Sequence, residues 1–406
     1  MGAKADPALD RTPVRPNHRQ MNTDPQAATA TYIDGLGADT LAKAAAYTTG
    51  NHWLLLWSLV VSALITLAIV RWGVLDRVEA RLGKRGPNAR AFVVGVVYFL
   101  VSALLSVPWA LYEEWWREKA YGRTSQPLAD FLGQGLLSIL ISALLGALFF
   151  VGVYALMRRA GRAWWVWSAG LTAAALSAFM LAAPVVIEPL FNDFKPVPAG
   201  EVRDALVVMA NRAGVPTDRI FVYDGSRQSN NFTANAGGVG GTARIAISDV
   251  AFKGATLDEV KAVTAHEIGH YVLDHTWRAV AVLSGLSILF FFLADRLFPR
   301  FARAFGSRAR LPEPAGLPVV IFMASFFGLL AEPVSNAMSR TAENEADLYS
   351  LETVNLPDAL ATALVKTAEY RNPRPSRLEE WLFYSHPSVE RRVLRAMEWK
   401  ASHGAH

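Results

Sequence analysis

Four stretches of this chain, 53–70, 91–112, 131–157 and 163–187, contain no charged residue. Each is about as long as the roughly 20 apolar residues a helix needs to cross a bilayer. The first, "WLLLWSLVVSALITLAIV", runs directly into Arg71. A buried core helix of a soluble protein would explain any one run, but not four in close succession with Trp and Arg at their ends. The composition agrees, with 52% hydrophobic residues, 18% charged residues and 12 Trp. Two further uncharged runs, 279–294 and 315–331, are shorter, at 16 and 17 residues. Trp277 before the first and Leu297 and Phe298 after it lengthen the apolar stretch, so the pair reads as a membrane hairpin. The expectation is a mainly α, polytopic integral membrane protein with about six transmembrane helices.

The net charge of +5 is spread over short segments between apolar runs. That pattern suits residues flanking a bilayer rather than a nucleic-acid surface, so the lipid bilayer is expected as a partner and nucleic acid is not. The chain has no cysteine, which excludes disulfides and any Cys-based zinc site. A metal site must therefore use histidine and carboxylate, and there are only eight histidines. Residues 1–50 form a polar N-terminal segment with no apolar run long enough for a signal peptide. Its first part, through about residue 28, is expected to be loosely ordered. Residues 51–187 form the four-helix membrane region, 276–338 the hairpin, and 339–406 a charged, helical segment that belongs in water.

Between the two membrane regions the character changes. "EVRDALVVMANRAG" (201–214) reads as an amphipathic helix stopped by Gly214 and Pro216. "RIFVYD" and "RIAISD" are short β-type runs, with the glycine-rich "NAGGVGG" between them. Thr256 and Glu259 have the spacing of a capping box, which predicts a helix from Leu257 through "TAHEIGHYVLDH" (264–275).

That last stretch carries the chemistry. His266 and His270 are four apart, so on a helix they project from one face and two imidazoles can reach one tetrahedral zinc ion. Glu267 is placed to take a proton from a zinc-held water, whose pKa zinc lowers to about 7. Catalytic zinc usually takes three protein ligands. His275 is the nearest candidate, but its helical rotation from His270 is about 140° off the site face. It is expected behind the ligands or at the surface. Downstream, "SRTAENEAD" (339–347) offers Glu343, Glu345 and Asp347 on a second helix. Glu343 and Asp347 share a face, and Glu345 points elsewhere. A carboxylate from this helix would complete a two-histidine, one-carboxylate site, with Asp347 free to hydrogen-bond a ligand.

"HEIGHYVLDH" together with "SRTAENEAD" resembles the M48 zinc metallopeptidases, in particular the Ste24-type CAAX prenyl protease branch. That branch is similar in its order of N-terminal membrane helices, HExxH, a membrane hairpin and a downstream Glu-bearing motif. "EPLFNDFKP" (188–196) resembles the segment leading into the family's catalytic domain, and "YSHPSVERRV" (384–393) its late His-Pro motif. The resemblance implies a zincin-like α+β metalloprotease domain with a small β-sheet, split into 188–275 and 339–406 around the hairpin. It implies that His266, His270 and Glu343 bind one Zn²⁺ per chain and that Glu267 is the general base. It further implies a catalytic role for His386 beside the substrate, with Arg392 as its supporting or substrate-carbonyl partner, and Asp347 hydrogen-bonded behind the metal. "NFTANAGGVGG" resembles the family's edge strand, where Asn235 and Ala236 would pair with peptide or protein substrates, prenylated or not. Two departures stand out. Eukaryotic members have seven membrane helices where this chain shows six, and "LDH" stands where that branch often has "LGH".

Six helices place both termini on the same side as the zinc motif. The resemblance makes that side cytoplasmic, in a bacterial inner (cell) membrane. The loops 71–90 and 296–311 are rich in arginine, so the positive-inside rule does not settle orientation. The expected function is a membrane-embedded zinc metalloendopeptidase. The alternatives are a membrane-protein quality-control protease without a prenyl substrate, a transporter or channel with an incidental metal site, and an inactive scaffold.

Overall fold

The computed structural model describes residues 24–403 apart from 232 and 239, so most of the segment expected to be loosely ordered lies outside the described residues. Its last few residues open a helix instead, Pro25–Asp34. Asp24 caps it by accepting a hydrogen bond from the Gln26 backbone N–H at 3.0 Å, and Pro25 sits where no backbone donor is needed.

Among the described residues, six helices are long and apolar enough to cross a membrane: Ala38–Arg71, Pro87–Ala120, Leu128–Arg159, Gly161–Leu190, His275–Phe305 and Pro314–Val354. Each contains one of the six uncharged runs but is longer than it. An apolar run marks only the part of a helix that meets lipid, whereas backbone hydrogen bonding carries the helix on into water. The sixth shows this best: its main helix is unbroken from Leu317 to Val354 and passes Pro333 without stopping. It therefore joins the membrane hairpin directly to the "SRTAENEAD" segment.

The bundle packs through small residues and large aromatics. Gly95 of the second helix lies so close to Ala147 of the third that an added Cβ would sit 3.2 Å from the Ala147 Cα. Such close approach is how membrane helices gain van der Waals contact where lipid removes the hydrophobic drive. Tyr98, Phe150, Tyr154, Phe291 and Phe298 fill the centre. The outward faces carry uncovered leucines, with Leu104 70% and Leu64 59% exposed.

The water-exposed layer holds a four-stranded sheet: β1 (Phe194–Pro196), β2 (Ile220–Tyr223), β3 (Ala234–Gly237) and β4 (Arg244–Ser248), in the order β1-β2-β4-β3. β2 and β4 are parallel, and the outer pairs are antiparallel. β4 is buried at every position, so it shows no alternation, as expected of a strand covered on both faces. The helix Glu201–Ala213 ends at Gly214 with φ 70°, the left-handed conformation a glycine adopts without strain. A second cluster joins that helix and β4 to the motif helix Leu257–Val272 through Leu206, Ile245, Ile247 and Ile268.

A third cluster brings the described ends of the chain together. Ile33 of the first helix packs with Val393 and Ala396 of the final helix Val389–His403, with Leu351 of the long helix and Ala262 of the motif helix. Both ends therefore lie in the layer that contains the motif.

Candidate metal centre

The capping box forms as expected. Thr256 Oγ1 accepts from the Glu259 N–H at 3.2 Å and the Glu259 carboxylate accepts from the Thr256 N–H at 2.7 Å. The motif helix starts at Leu257, but it does not run through the whole motif. It ends at Val272, Asp274 adopts φ 56°, and His275 opens the next helix. Asp is one of the few side chains that tolerates the left-handed region, and that single residue changes what His275 does. The rotation computed along one continuous helix no longer applies. The chain turns back, and His275 Nδ1 comes to 2.9 Å from His270 Nδ1.

Gly269 decides how close the motif helix comes to the long helix. A Cβ there would meet the Tyr349 Cβ at 3.1 Å and the Ala346 Cα at 3.2 Å. With no side chain in the way, Glu343 and Asp347, one turn apart on the long helix, reach the two histidines. His266 Nε2 lies 3.3 Å from Glu343 Oε2, and His270 Nε2 lies 3.5 Å from Glu343 Oε1. One ligand atom from each of His266, His270 and Glu343 falls within 4.8 Å of the others, so the three could hold a metal ion.

The hydrogen-bond network sets the tautomers, assigned here from the partners each ring nitrogen has. His266 Nδ1 faces Asp347 Oδ1 at 2.9 Å, so it carries the proton. His270 Nδ1 donates to His275 Nδ1, and His275 Nε2 donates to Glu345 Oε2 at 2.9 Å, which Arg278 Nη1 also reaches at 2.5 Å. His266 and His270 are thus each backed through Nδ1 by a carboxylate, directly or by relay, as metal-ligating histidines are. With both rings neutral, as metal ligation requires, two Nε2 lone pairs face each other at 3.2 Å beside a carboxylate. Glu343 Oε2 is buried and accepts no hydrogen bond from any described residue. Two lone pairs and an unsatisfied anionic oxygen repel one another unless a cation lies among them. The donor set suits Zn²⁺, which takes imidazole nitrogen and carboxylate oxygen.

Arg392 is buried behind this group. Its Nε and Nη2 grip both oxygens of Asp347 at 2.8 and 2.6 Å, and its Nη1 lies 3.3 Å from Glu343 Oε2. Burial works against its charge, but the flanking carboxylates outweigh that and hold it firmly protonated. His386 approaches from the loop before the final helix, with Nε2 3.1 Å from Glu343 Oε1 and Nδ1 2.9 Å from Ser385 Oγ. Burial pushes its pKa down despite the Glu343 contact, which keeps the ring neutral. Glu267 differs from the rest. It keeps some surface exposure and has no hydrogen bond or ion pair with any described residue. Low solvation raises its pKa, although the neighbouring histidines pull the other way.

Asn235 and Ala236 lie on β3, opposite Ala246 and Ile245 of β4; among the described residues β3 pairs on that side only and so is a sheet edge. β3 contacts the motif helix. Glu332, another half-buried carboxylate on the long helix, instead lines a cavity of about 400 Å³ with His386 and Arg371. The His275–Glu345 relay was not foreseen as a unit. Asp274, as a residue suited to the left-handed region, was the signal for it.

Residues 196–400 match the peptidase family M48, and residues 17–193 match the CAAX prenyl protease N-terminal region, described as having five membrane helices. Among the described residues that stretch holds four. The chain is 28% identical over 351 residues to an uncharacterized metalloprotease, YhfN, of Bacillus subtilis, covering 85% of this chain and 80% of that protein. It is 32% identical over 230 residues to CAAX prenyl protease 1 of Saccharomyces cerevisiae, covering 52% and 50% of the two chains. The crystal structure of S. mikatae Ste24p shares the fold, with a TM-score of 0.74 at 21% identity over 90% of each chain. The membrane bundle, the small mixed sheet, the His-His-Glu group and these matches together assign the chain to peptidase family M48, as a Ste24-like membrane metalloprotease.

Proposed function

We propose that this protein is a zinc-dependent endopeptidase that hydrolyses peptide bonds at the membrane surface, with Glu267 as general base. The observation that carries this reading is the unpaired Glu267 carboxylate beside three ligand atoms that converge on an unsatisfied point. His266, His270 and Glu343 would hold one Zn²⁺ per chain, which supplies Lewis-acid charge and makes a nearby water acidic enough to lose a proton near neutral pH.

The chain's own residues do the rest. Glu267 takes a proton from the attacking water and passes it to the leaving amine nitrogen. Its raised pKa suits both halves of that exchange. His386, held neutral, offers a ring N–H to the oxygen on which negative charge develops. Arg392 is a positioning residue. It fixes Asp347, and through Asp347 the His266 ring. The substrate lies extended along the free edge of β3 at Asn235 and Ala236, where backbone hydrogen bonding holds a peptide without reading its sequence.

The substrates are peptides or proteins presented at the bilayer, and the layer bearing the site and both described chain ends faces the cytoplasm of a bacterial cell. Glu267→Gln should keep full zinc content while hydrolysis of a farnesylated CAAX peptide falls by about 10²–10⁴-fold. Normal turnover in that variant would refute the mechanism. An unmodified peptide assayed in parallel, with and without chelator, shows whether the prenyl group is read. Equal cleavage of the two would assign the protein to general membrane proteolysis.

A further inference from the structure

The level of the bilayer surface near the site can be read from exposed side chains. On the long helix Leu330 and Val334 are 62% and 55% exposed, and the next charged residue beyond them is Arg340. The short helix Arg377–Phe383 packs against this part of the long helix and exposes Leu378 and Trp381. Its Phe383 ring stacks on His52 at 4.2 Å, next to the exposed Trp53 and Trp57 of the first spanning helix. Indoles gather where acyl chains meet headgroups, so this short helix lies at the membrane–water boundary.

At that boundary is a cavity of about 510 Å³, lined by Arg340, Arg377, Arg391, Arg395, Glu380 and Trp381 among others. It is separate from the metal centre. Four guanidinium groups face a single carboxylate, an excess of three positive charges. Glu380 is itself committed: it accepts from the Ser388 N–H at 3.2 Å and pairs with Arg391 at 3.3 Å. Among the described residues Arg340 donates only to backbone carbonyls, of Tyr384 at 2.6 Å, Glu380 at 3.1 Å and Trp381 at 3.4 Å, and Arg395 donates to the Asn344 side-chain oxygen. Arg377 has no hydrogen bond or ion pair with any described residue. Such a concentration of unneutralised charge in a concave site calls for a polyvalent anion.

We propose that this cavity binds the phosphate of an anionic phospholipid headgroup. Guanidinium groups suit phosphate because they offer paired, planar donors, and basic pockets at the cytoplasmic boundary of membrane helices bind such headgroups. The exposed Trp381 and Leu378 at the rim place the glycerol and acyl chains of the same lipid in the bilayer, which an acidic protein segment would not exploit. The site has a structural consequence. Arg340 holds the carbonyls of the 380–384 segment, immediately before His386, so a bound phosphate would brace the loop that carries His386.

The test needs no catalytic readout and so stands or falls separately from the protease reading. Full-length protein in detergent is titrated with phosphatidylglycerol or with phosphatidylcholine, and bound lipid is counted by native mass spectrometry. Phosphatidylglycerol should be retained about tenfold more than phosphatidylcholine. Arg377→Gln/Arg391→Gln should remove that preference, and Arg377→Lys/Arg391→Lys should keep it. Both positions are exposed, so zinc content should match the wild type and report an intact fold. Equal retention of the two lipids, or an undiminished preference in the glutamine variant, overturns the proposal. If millimolar inorganic phosphate displaces phosphatidylglycerol completely, the site reads a soluble anion and the lipid assignment fails.

Discussion

The membrane bundle and the metal layer are held together by opposite kinds of contact. In the bundle, closeness comes from absence: Gly95 lets two helices touch, and the outward leucines meet only lipid. In the metal layer, buried charges are locked to one another: Asp347, Arg392, His266 and Glu343 contact each other with almost no exposure. Lipid can fill a gap left on the bundle's surface. Nothing can replace a missing partner in the buried polar network, where an uncompensated charge costs several kcal/mol. The same substitution should therefore be mild in one region and severe in the other.

Asp347→Ala is the harshest way to press that difference. It leaves the buried Arg392 guanidinium without its bidentate partner and the His266 ring without its acceptor, and should destabilise the fold by about 3–5 kcal/mol. Thermal unfolding in detergent would show it, and an unchanged transition would mean that the network contributes little.

Titration of the metal-free site gives the next largest effect. Burial disfavours a charge on His266, but the adjacent Asp347 and Glu343 carboxylates outweigh it and hold the pKa up at about 10. A folded value above the unfolded 6.5 means that charged His266 stabilises the metal-free protein fully below pH 6.5. That stabilisation is lost as pH climbs through about 10. Zinc must displace this proton. Between pH 6.5 and 8.5 its affinity should rise about tenfold per pH unit, with close to one proton released on binding. Calorimetry in buffers of different ionisation enthalpy measures that release, and a pH-independent affinity would show that His266 is already neutral.

Gly269→Ala probes the contact between the two site helices. Its added methyl would need the Tyr349 side chain and the Ala346 backbone to yield by a few tenths of an ångström, at about 1–3 kcal/mol, and should weaken zinc binding. The mildest change is Leu104→Ala on the lipid face, expected within about 0.5 kcal/mol of wild type because the side chain is 70% exposed. A large loss there would show that another protein surface, not lipid, covers it.

The two regions also differ in how much of them is legible in the residues. The spanning helices are read from uncharged runs because lipid excludes charge over a fixed thickness, a constraint that acts position by position. Helix ends are less legible, since nothing in an apolar run says how far its helix continues into water, and Val354 lies 23 residues beyond Ala331, where the last uncharged run ends. The i,i+4 pairs His266/His270 and Glu343/Asp347 follow from helical period alone. Their meeting does not: it depends on Gly269, whose role appears only when Ala346 and Tyr349 are seen opposite it.

Local sequence by itself determined the elements: six apolar helices, a capped motif helix starting at Leu257, short strands, and which side chains share a helical face. Tertiary structure decided the partnerships. It turned His275 back onto His270 through the left-handed Asp274, sent Glu345 to support that relay, and buried Arg392 between Asp347 and Glu343. The reason is physical. Propensity and periodicity act over a few residues, whereas a buried charge chooses its partner from whatever the folded chain brings within hydrogen-bond reach, as His266 meets Asp347 far along the sequence.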